Sequence, residues 1–188
     1  MIERMPPLAP EAMSAEQKSA AAELAAGPRG GVRGPFIALL RSPQLMSRLQ
    51  KVGEHLRYHS VLERRISEFA MLIVSRHLTQ QFEWQVHYPL AVSAGLRKEL
   101  TEALAQGARP RGMSDDEEAT YDFCAELLQH HGVSDATYRR ALECLAEQGV
   151  VELAALVGYF ITVSLVMNVA RTPAEPGSAV GPLEPFPR

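Results

Sequence analysis

The stretch that decides the fold is LERRISEFAMLIVSRHLTQQFEWQVHYPLAVSAGL, from Leu62 to Leu96. In its first half, apolar residues return every three or four positions, which is the spacing of one face of an α-helix. A short polar segment separates this half from a second helical segment, which ends at a glycine. We therefore predict two helices, and a connection this short favours antiparallel packing. The apolar face of the first helix consists of Leu62, Ile66, Phe69, Ala70, Ile73, Val74 and Leu78.

Three titratable residues in this stretch are the candidate site. Glu68 lies at the edge of the apolar face, so its carboxylate is predicted to be partly desolvated. Glu83 and His87 are four residues apart in the second helix and therefore share one face. Antiparallel helices would bring Glu68 close to both of them. Two carboxylates and an imidazole in one pocket favour proton sharing and acid–base chemistry, although the same three groups could also form a purely structural buried network.

The residues carry a resemblance to a known family. Glu68, then Glu83-Trp84-x-x-His87, then Ala91-x-x-Ala94-Gly95-Leu96 resembles the carboxymuconolactone decarboxylase family, within the superfamily of alkylhydroperoxidase D (AhpD)-like proteins. The likeness covers roughly residues 35–169 and implies an all-α, AhpD-like helical bundle that assembles as a homo-oligomer, a trimer or a hexamer. The peroxidase branch has a Cys-x-x-Cys pair seven and four residues before the histidine, where this chain has Gln80 and Glu83. The resemblance therefore indicates the decarboxylase-like branch, without thiol chemistry.

The resemblance also implies a function. It suggests a cofactor-free, metal-free lyase or isomerase for a small carboxylate-bearing lactone or related ring, with Glu68, Glu83 and His87 as catalytic residues. Decarboxylation without a cofactor needs a general acid to protonate the carbon that carbon dioxide leaves, and His87 or Glu68 can supply that proton. Two alternatives stay open, an alkylhydroperoxidase-like antioxidant and a non-catalytic module in which the three residues hold a metal ion or another ligand.

Other residues of the central stretch are given supporting roles. Trp84 points away from His87 by the helical period, so we predict that it packs in the core. Arg64, Arg65 and Arg76 are the sequence's candidates for binding a substrate carboxylate.

Composition limits the partners. The chain has 188 residues and a net charge of −3, and it contains no block of basic residues. It is therefore not expected to bind nucleic acid or an anionic membrane. The N-terminus has no apolar signal core, which predicts a cytoplasmic protein. Cys124 and Cys144 have no metal or redox spacing and are predicted to be buried thiols.

The remaining sequence predicts one helical domain over residues 1–171 and a proline-rich, extended tail over 172–188, laid over a neighbour or disordered. Capping boxes begin helices after Ser14 and Ser114, and no segment shows the alternation of a β-strand. The glycine-rich run at 27–35 is interpreted as a linker. Residues 150–169 are apolar enough for a membrane span, but Glu152 and several polar residues favour a helix buried in the core or in a subunit interface.

Overall fold

The computed structural model describes residues 2–174 and 177–185 of the chain. Within these ranges there is no β-strand, so the all-α prediction is confirmed. A short 3₁₀-helix at Pro10–Ala12 precedes the α-helices. The α-helices of the described ranges are α1 (Ala15–Ala26), α2 (Pro35–Leu39), α3 (Pro43–Tyr58), α4 (Arg64–His77), α5 (Gln81–Ser93), α6 (Lys98–Ala105), α7 (Asp115–His130) and α8 (Asp135–Ala170).

Helix α4 is the centre of the molecule. It packs against α5, α7 and α8, and every residue from Ile66 to Arg76 is buried. A helix apolar around most of its circumference is stable only when neighbours cover it on all sides. The predicted apolar face of α4 therefore lies in the middle of the main core. Its largest partners from other helices are Trp84, Leu100, Phe123, Leu153 and Phe160.

The N-terminal helices form a second, smaller apolar cluster. Phe36 and Leu39 of α2 pack there with Met46 of α3 and Leu24 of α1. Leu49 of α3 packs against both this cluster and the main core. In this second layer α2 and α3 pack against α8, and the loop before α2 meets Phe82 of α5 at Gly34.

Helix α8 consists of two helical segments, as Gly149 predicts for the residues after Ser134, but their division lies elsewhere. The helix runs from Asp135 to Ala170 and is broken only at Ala146, which has the non-helical angles φ 58° and ψ 174°. The break thus lies three residues before the glycine, and Gly149 is buried inside the helix. By length and composition α8 is apolar enough to cross a membrane, but 56% of its most apolar window is buried inside the protein. That burial is typical of a core helix.

The outer face of α8 stays exposed beyond the kink. Val151 is 67% exposed, Leu165 is 49% exposed and Val169 is 58% exposed. Exposed apolar residues in a row along one helix are a suitable surface for contact between subunits. The homo-oligomer remains a prediction, and this face is where we expect its contacts.

The described part of the tail lies against α4 and α5 of its own chain. Gln81 of α5 and Leu183 exchange two hydrogen bonds of 2.7 and 2.8 Å between the side-chain amide and the backbone. Arg76 donates to the carbonyl of Glu184 at 2.8 Å, and Gln85 donates to the carbonyl of Val180 at 3.0 Å. Leu183 itself is buried in the main core. The tail therefore fastens the outer surface of α4 and α5.

We expect Leu183→Ala to lower the free energy of unfolding by about 2–3 kcal/mol, the lower part of the range for a buried leucine. The tail covers the core from one side only, so the remaining cavity can partly close. Urea unfolding followed by circular dichroism measures the change. Val61→Ala is the control, because Val61 is 54% exposed and such sites change stability by about 0.5 kcal/mol or less. Equal effects of both changes would contradict the docked tail.

One cysteine prediction is wrong. Cys124 of α7 is buried, but Cys144 is exposed. Cys144 lies on the outer side of the first part of α8, before the break at Ala146, where the periodicity of a short amphipathic segment did not define the buried face.

Candidate active site

The turn between α4 and α5 sets the two helices side by side. The backbone N–H of Gln80 donates to the carbonyl of Ser75, and that of Thr79 donates to Arg76. This pair of bonds is a Schellman motif, which usually places glycine at its left-handed residue. Here Thr79 takes that position with φ 48°. The turn closes α4 within three residues and starts α5 in the opposite direction, as the short connection predicted.

Gln80 holds the start of α5 in place. Its side-chain oxygen accepts hydrogen bonds from the N–H groups of Phe82 and Glu83, at 2.7 and 3.3 Å. Its amide nitrogen donates to Asn168 of α8 at 3.0 Å. At one of the two positions where the resembling peroxidases have cysteine, this chain thus has a helix cap. The other position, Glu83, lies one turn further along and belongs to the site.

The structure brings Glu68, Glu83 and His87 together as predicted. Oε2 of Glu68 lies 2.7 Å from Nδ1 of His87, and Oε2 of Glu83 lies 3.1 Å from Nε2. The imidazole is 1% exposed, and both carboxylates are 4% exposed. The edge of the imidazole meets the ring of Phe160 at a centroid distance of 5.2 Å. Each ring nitrogen therefore faces one carboxylate, and the ring has a fixed orientation.

Two opposing effects set the charge of His87. Burial lowers the pKa of His87, but the hydrogen bonds with Glu68 and Glu83 outweigh burial, and its pKa is raised above 6.5. A protonated imidazole can donate to both carboxylates at once, whereas a neutral one has a single N–H. The site therefore favours an imidazolium whose two N–H groups each face one carboxylate.

This raised pKa predicts a pH dependence of stability. Because the folded protein holds the His87 proton more tightly than the unfolded chain, the gain is complete below pH 6.5 and is lost as the pH rises through the folded-state pKa. We expect the free energy of unfolding of the wild type, relative to His87→Gln, to fall as the pH rises above 6.5. Urea unfolding at a series of pH values measures it. A difference that grows with pH would mean that His87 is neutral in the folded state.

A cavity of about 240 Å³ opens beside this group. Glu83 and His87 line it, but Glu68 does not. Glu68 therefore contacts the imidazole from behind, and the Glu83 side of the imidazole faces the space that a small molecule can occupy. The two carboxylates therefore differ in their position relative to the cavity, which the sequence pattern did not indicate. The other walls are Pro28, Arg29, Gly31, Arg33, Pro35, Phe36, Arg57, Tyr58, Phe82, Val86, Tyr159, Phe160 and Val163.

The arginines proposed from the sequence are not in this cavity. Arg64 lies 3.8 Å from Glu68 on the outside of α4, and Arg65 pairs with Asp116 and Glu117 of α7. Arg76 points to the tail, where it donates to Glu184. All three are on α4, but their helical positions turn them away from the cavity.

The cavity takes its arginines from elsewhere. Arg29 and Arg33 come from the glycine-rich loop, and Arg57 comes from the end of α3. The loop that the sequence predicts as a linker joins α1 to α2 and also supplies side chains to the cavity wall. Gly34 ends the loop with φ 55°, and a Cβ there would overlap the ring of Phe82. The loop can lie against α5 only because residue 34 has no side chain.

The arrangement bears on the two alternatives. The carboxylates of Glu68 and Glu83 lie on opposite nitrogens of one ring, so they cannot converge with it on a single metal ion. Among residues 2–174 and 177–185, no group of three or more metal-ligating side chains has a suitable arrangement. Neither cysteine lines the cavity. Burial raises the pKa of the Cys124 thiol far above its usual range, so that thiol is unreactive.

Comparisons with known proteins support the fold. No protein-family model matches the sequence, and no curated protein matches it. Among solved structures, one from Agrobacterium tumefaciens is similar with a TM-score of 0.65 and 14% sequence identity, covering 73% of this chain and 94% of the other. That protein is described as having unknown function and as a candidate antioxidant defence protein AhpD. The chain thus has an AhpD-like, all-helical fold. At this identity the likeness concerns the fold alone.

Proposed function

We propose that this protein is an acid–base enzyme that needs neither a thiol nor a cofactor, with Glu83 and His87 as proton-transfer groups and Glu68 as the residue that positions the imidazole. The reaction class that fits best is a lyase or isomerase reaction on a small, carboxylate-bearing lactone or related ring. This class rests on the resemblance of the Glu68 to Leu96 pattern to the carboxymuconolactone decarboxylase family.

The observation that carries the proposal is an imidazole buried between two carboxylates at the wall of a small cavity. A polar network that serves only structure has no need of an open space beside it. Here Glu83 and His87 both reach the cavity surface while Glu68 is behind them. Groups with shifted pKa values at the wall of a pocket are typical of catalytic sites.

The same geometry serves both reactions. In a decarboxylation, the carbon–carbon bond to the carboxylate breaks, carbon dioxide leaves, and the electron pair stays on the ring carbon, conjugated with the lactone carbonyl. The Glu83–His87 pair then protonates that carbon. In an isomerisation, Glu83 removes a proton from one ring carbon and the pair returns a proton to another. Apolar walls limit the access of water to the charged intermediate.

Proton transfer to carbon can be tested with a panel of candidate substrates. Small unsaturated lactone acids are incubated with the protein in heavy water, and nuclear magnetic resonance follows deuterium incorporation and carbon dioxide release. We expect at least one compound to exchange or react with the wild type and not with His87→Gln. If no member exchanges or reacts beyond the buffer rate, the proposed reaction class is wrong.

An antioxidant function is the alternative, because the similar Agrobacterium protein is described as a candidate antioxidant defence protein. It would require a reactive thiol at the site, and residues 80 and 83 are glutamine and glutamate here. We expect hydroperoxide consumption to be absent, or residual and unchanged by substitution of Gln80. Robust turnover that disappears with Cys144→Ser would favour the antioxidant function instead.

A further inference from the structure

We propose that Arg29, in the loop before α2, is the anchor for a carboxylate of the substrate and makes the cavity selective for planar organic acids. The inference rests on the proposed function in one respect only, namely that the cavity next to His87 is the substrate site. It replaces the arginines of α4 that the sequence suggested.

Two of the three guanidinium nitrogens of Arg29 lack a hydrogen-bond acceptor among the described residues. Its Nε and Nη2 atoms are shielded from water and have no hydrogen-bond partner among the described residues. These two nitrogens form one edge of the planar guanidinium, the fork that binds both oxygens of a carboxylate. A buried charged donor without an acceptor is costly. Since neither nitrogen holds a hydrogen bond, a ligand carboxylate that binds this edge has no protein acceptor to displace.

The charges around the cavity also favour an anion. Arg29, Arg33 and Arg57 line it, and Glu83 is the acidic residue in its wall. Glu83 is already engaged with the imidazole of His87. Burial lowers the pKa of Arg29, Arg57 lowers it further, and Tyr159 and Glu83 raise it. An arginine nevertheless stays protonated at neutral pH, so its charge is incompletely balanced until an anion enters.

The protein builds a specific place for this side chain. The guanidinium lies over the ring of Phe36, 4.8 Å from the ring centroid. A Cβ added at Gly53 of α3 would come within 2.7 Å of Nη2 of Arg29 and would overlap the hydroxyl of Tyr159. Gly53 therefore provides the room in which the arginine and the tyrosine meet. A cation held over an aromatic ring keeps a defined position at the edge of the cavity.

The remaining walls favour a planar acid over a phosphate. Phe82, Phe160 and Val163 line the cavity with apolar surface, and its volume is about 240 Å³. A flat ring fits against such walls, and the fork of a single guanidinium matches the two oxygens of a carboxylate. A phosphate has a tetrahedral set of oxygens, and the planar Nε–Nη2 edge of Arg29 meets only two of them.

The test measures binding of benzoate, benzamide and inorganic phosphate by isothermal titration calorimetry. Benzamide has the shape of benzoate without its charge. We expect the wild type to bind benzoate about 10- to 100-fold more tightly than benzamide, the range for hydrogen bonds to a charged group. Arg29→Gln should reduce benzoate binding to the level of benzamide and leave benzamide unchanged. Arg111→Gln, a change of the same kind at an exposed residue between α6 and α7, should alter neither.

Two further variants keep the result interpretable. Arg29→Lys retains the charge without the fork and should recover only part of the benzoate preference. Gly53→Ala should weaken benzoate binding although it removes no polar group. If wild type does not prefer benzoate, if Arg29→Gln binds it normally, or if phosphate binds as tightly as benzoate, the assignment is overturned.

The binding test also separates this inference from the proposed function. His87→Gln should still bind benzoate through Arg29, because the imidazole is not the anchor. A protein that binds benzoate through Arg29 but transfers no proton to any lactone acid keeps the anchor and loses the catalytic proposal. Catalysis that survives Arg29→Gln with unchanged KM would instead refute the anchor and keep the enzyme.

Discussion

Replacing His87 with alanine is expected to lower turnover on a reacting lactone acid by about 10²- to 10⁴-fold, the usual contribution of one positioned proton-transfer group. The imidazole contacts both carboxylates, 2.7 Å from Glu68 and 3.1 Å from Glu83. Without it, the site loses the shared proton, and Glu68 loses its path to the cavity. KM should change less than kcat, because Arg29 and the aromatic walls hold the ligand.

The control for this change is His77→Ala, which removes an exposed imidazole from the last turn of α4. It should leave kcat unchanged. Since His87 is buried, circular dichroism and a urea titration must show that His87→Ala is folded under assay conditions, and His87→Gln supplies a variant that retains hydrogen-bonding atoms. Full turnover in a folded His87 variant would make the buried structural network the better account of the three residues.

The three-residue cluster could be predicted from the sequence because local rules determine it. The spacing of Glu83 and His87 fixes their common face, and a three-residue connection leaves α5 little choice but to return along α4. Glu68 then follows from its place on the edge of the apolar face. Each step uses neighbours within about 20 residues of chain.

The cavity could not be predicted in the same way. Its arginines belong to a loop and to α3, more than 25 residues before Glu83 and His87, and only tertiary packing brings them there. The glycine-rich loop has no helical or strand periodicity, so its path over the helices could not be predicted. Two single glycines in the sequence were the available signals of this packing. Gly34 lies next to Phe82, and Gly53 lies next to Tyr159. A glycine inside a predicted helix such as α3 often marks a close approach.

Other errors have a similar cause. Gly149 predicts the end of a helix, yet the break falls three residues earlier, at Ala146, and Gly149 is buried inside the helix. The tail was predicted to be extended over a neighbour or disordered, because its prolines exclude a helix. Its backbone instead finds acceptors and donors on the side chains of Gln81 and Gln85, which local sequence patterns do not show.

The second large effect is expected at Glu83. Glu83→Gln keeps the shape of the side chain but removes the carboxylate that faces both the imidazole and the cavity, so turnover should fall by about 10²-fold or more. Glu68→Gln should also lower turnover, but only through the imidazole, since Glu68 does not line the cavity. Glu117→Gln is the control: it removes a buried carboxylate that pairs with Arg65 outside the cavity, and it should affect stability without affecting kcat.

The double variant distinguishes a relay from two independent contributions. If Glu68 acts by holding the proton and orientation of His87, its removal can cost little once His87 has been replaced. Glu68→Gln combined with His87→Gln should therefore lose little more turnover than the worse single variant, as residues that act as one unit do. Losses that multiply would mean that Glu68 reaches the substrate by another route. Because Glu68 lies behind the imidazole, such a result would also require the cavity to open differently when substrate binds.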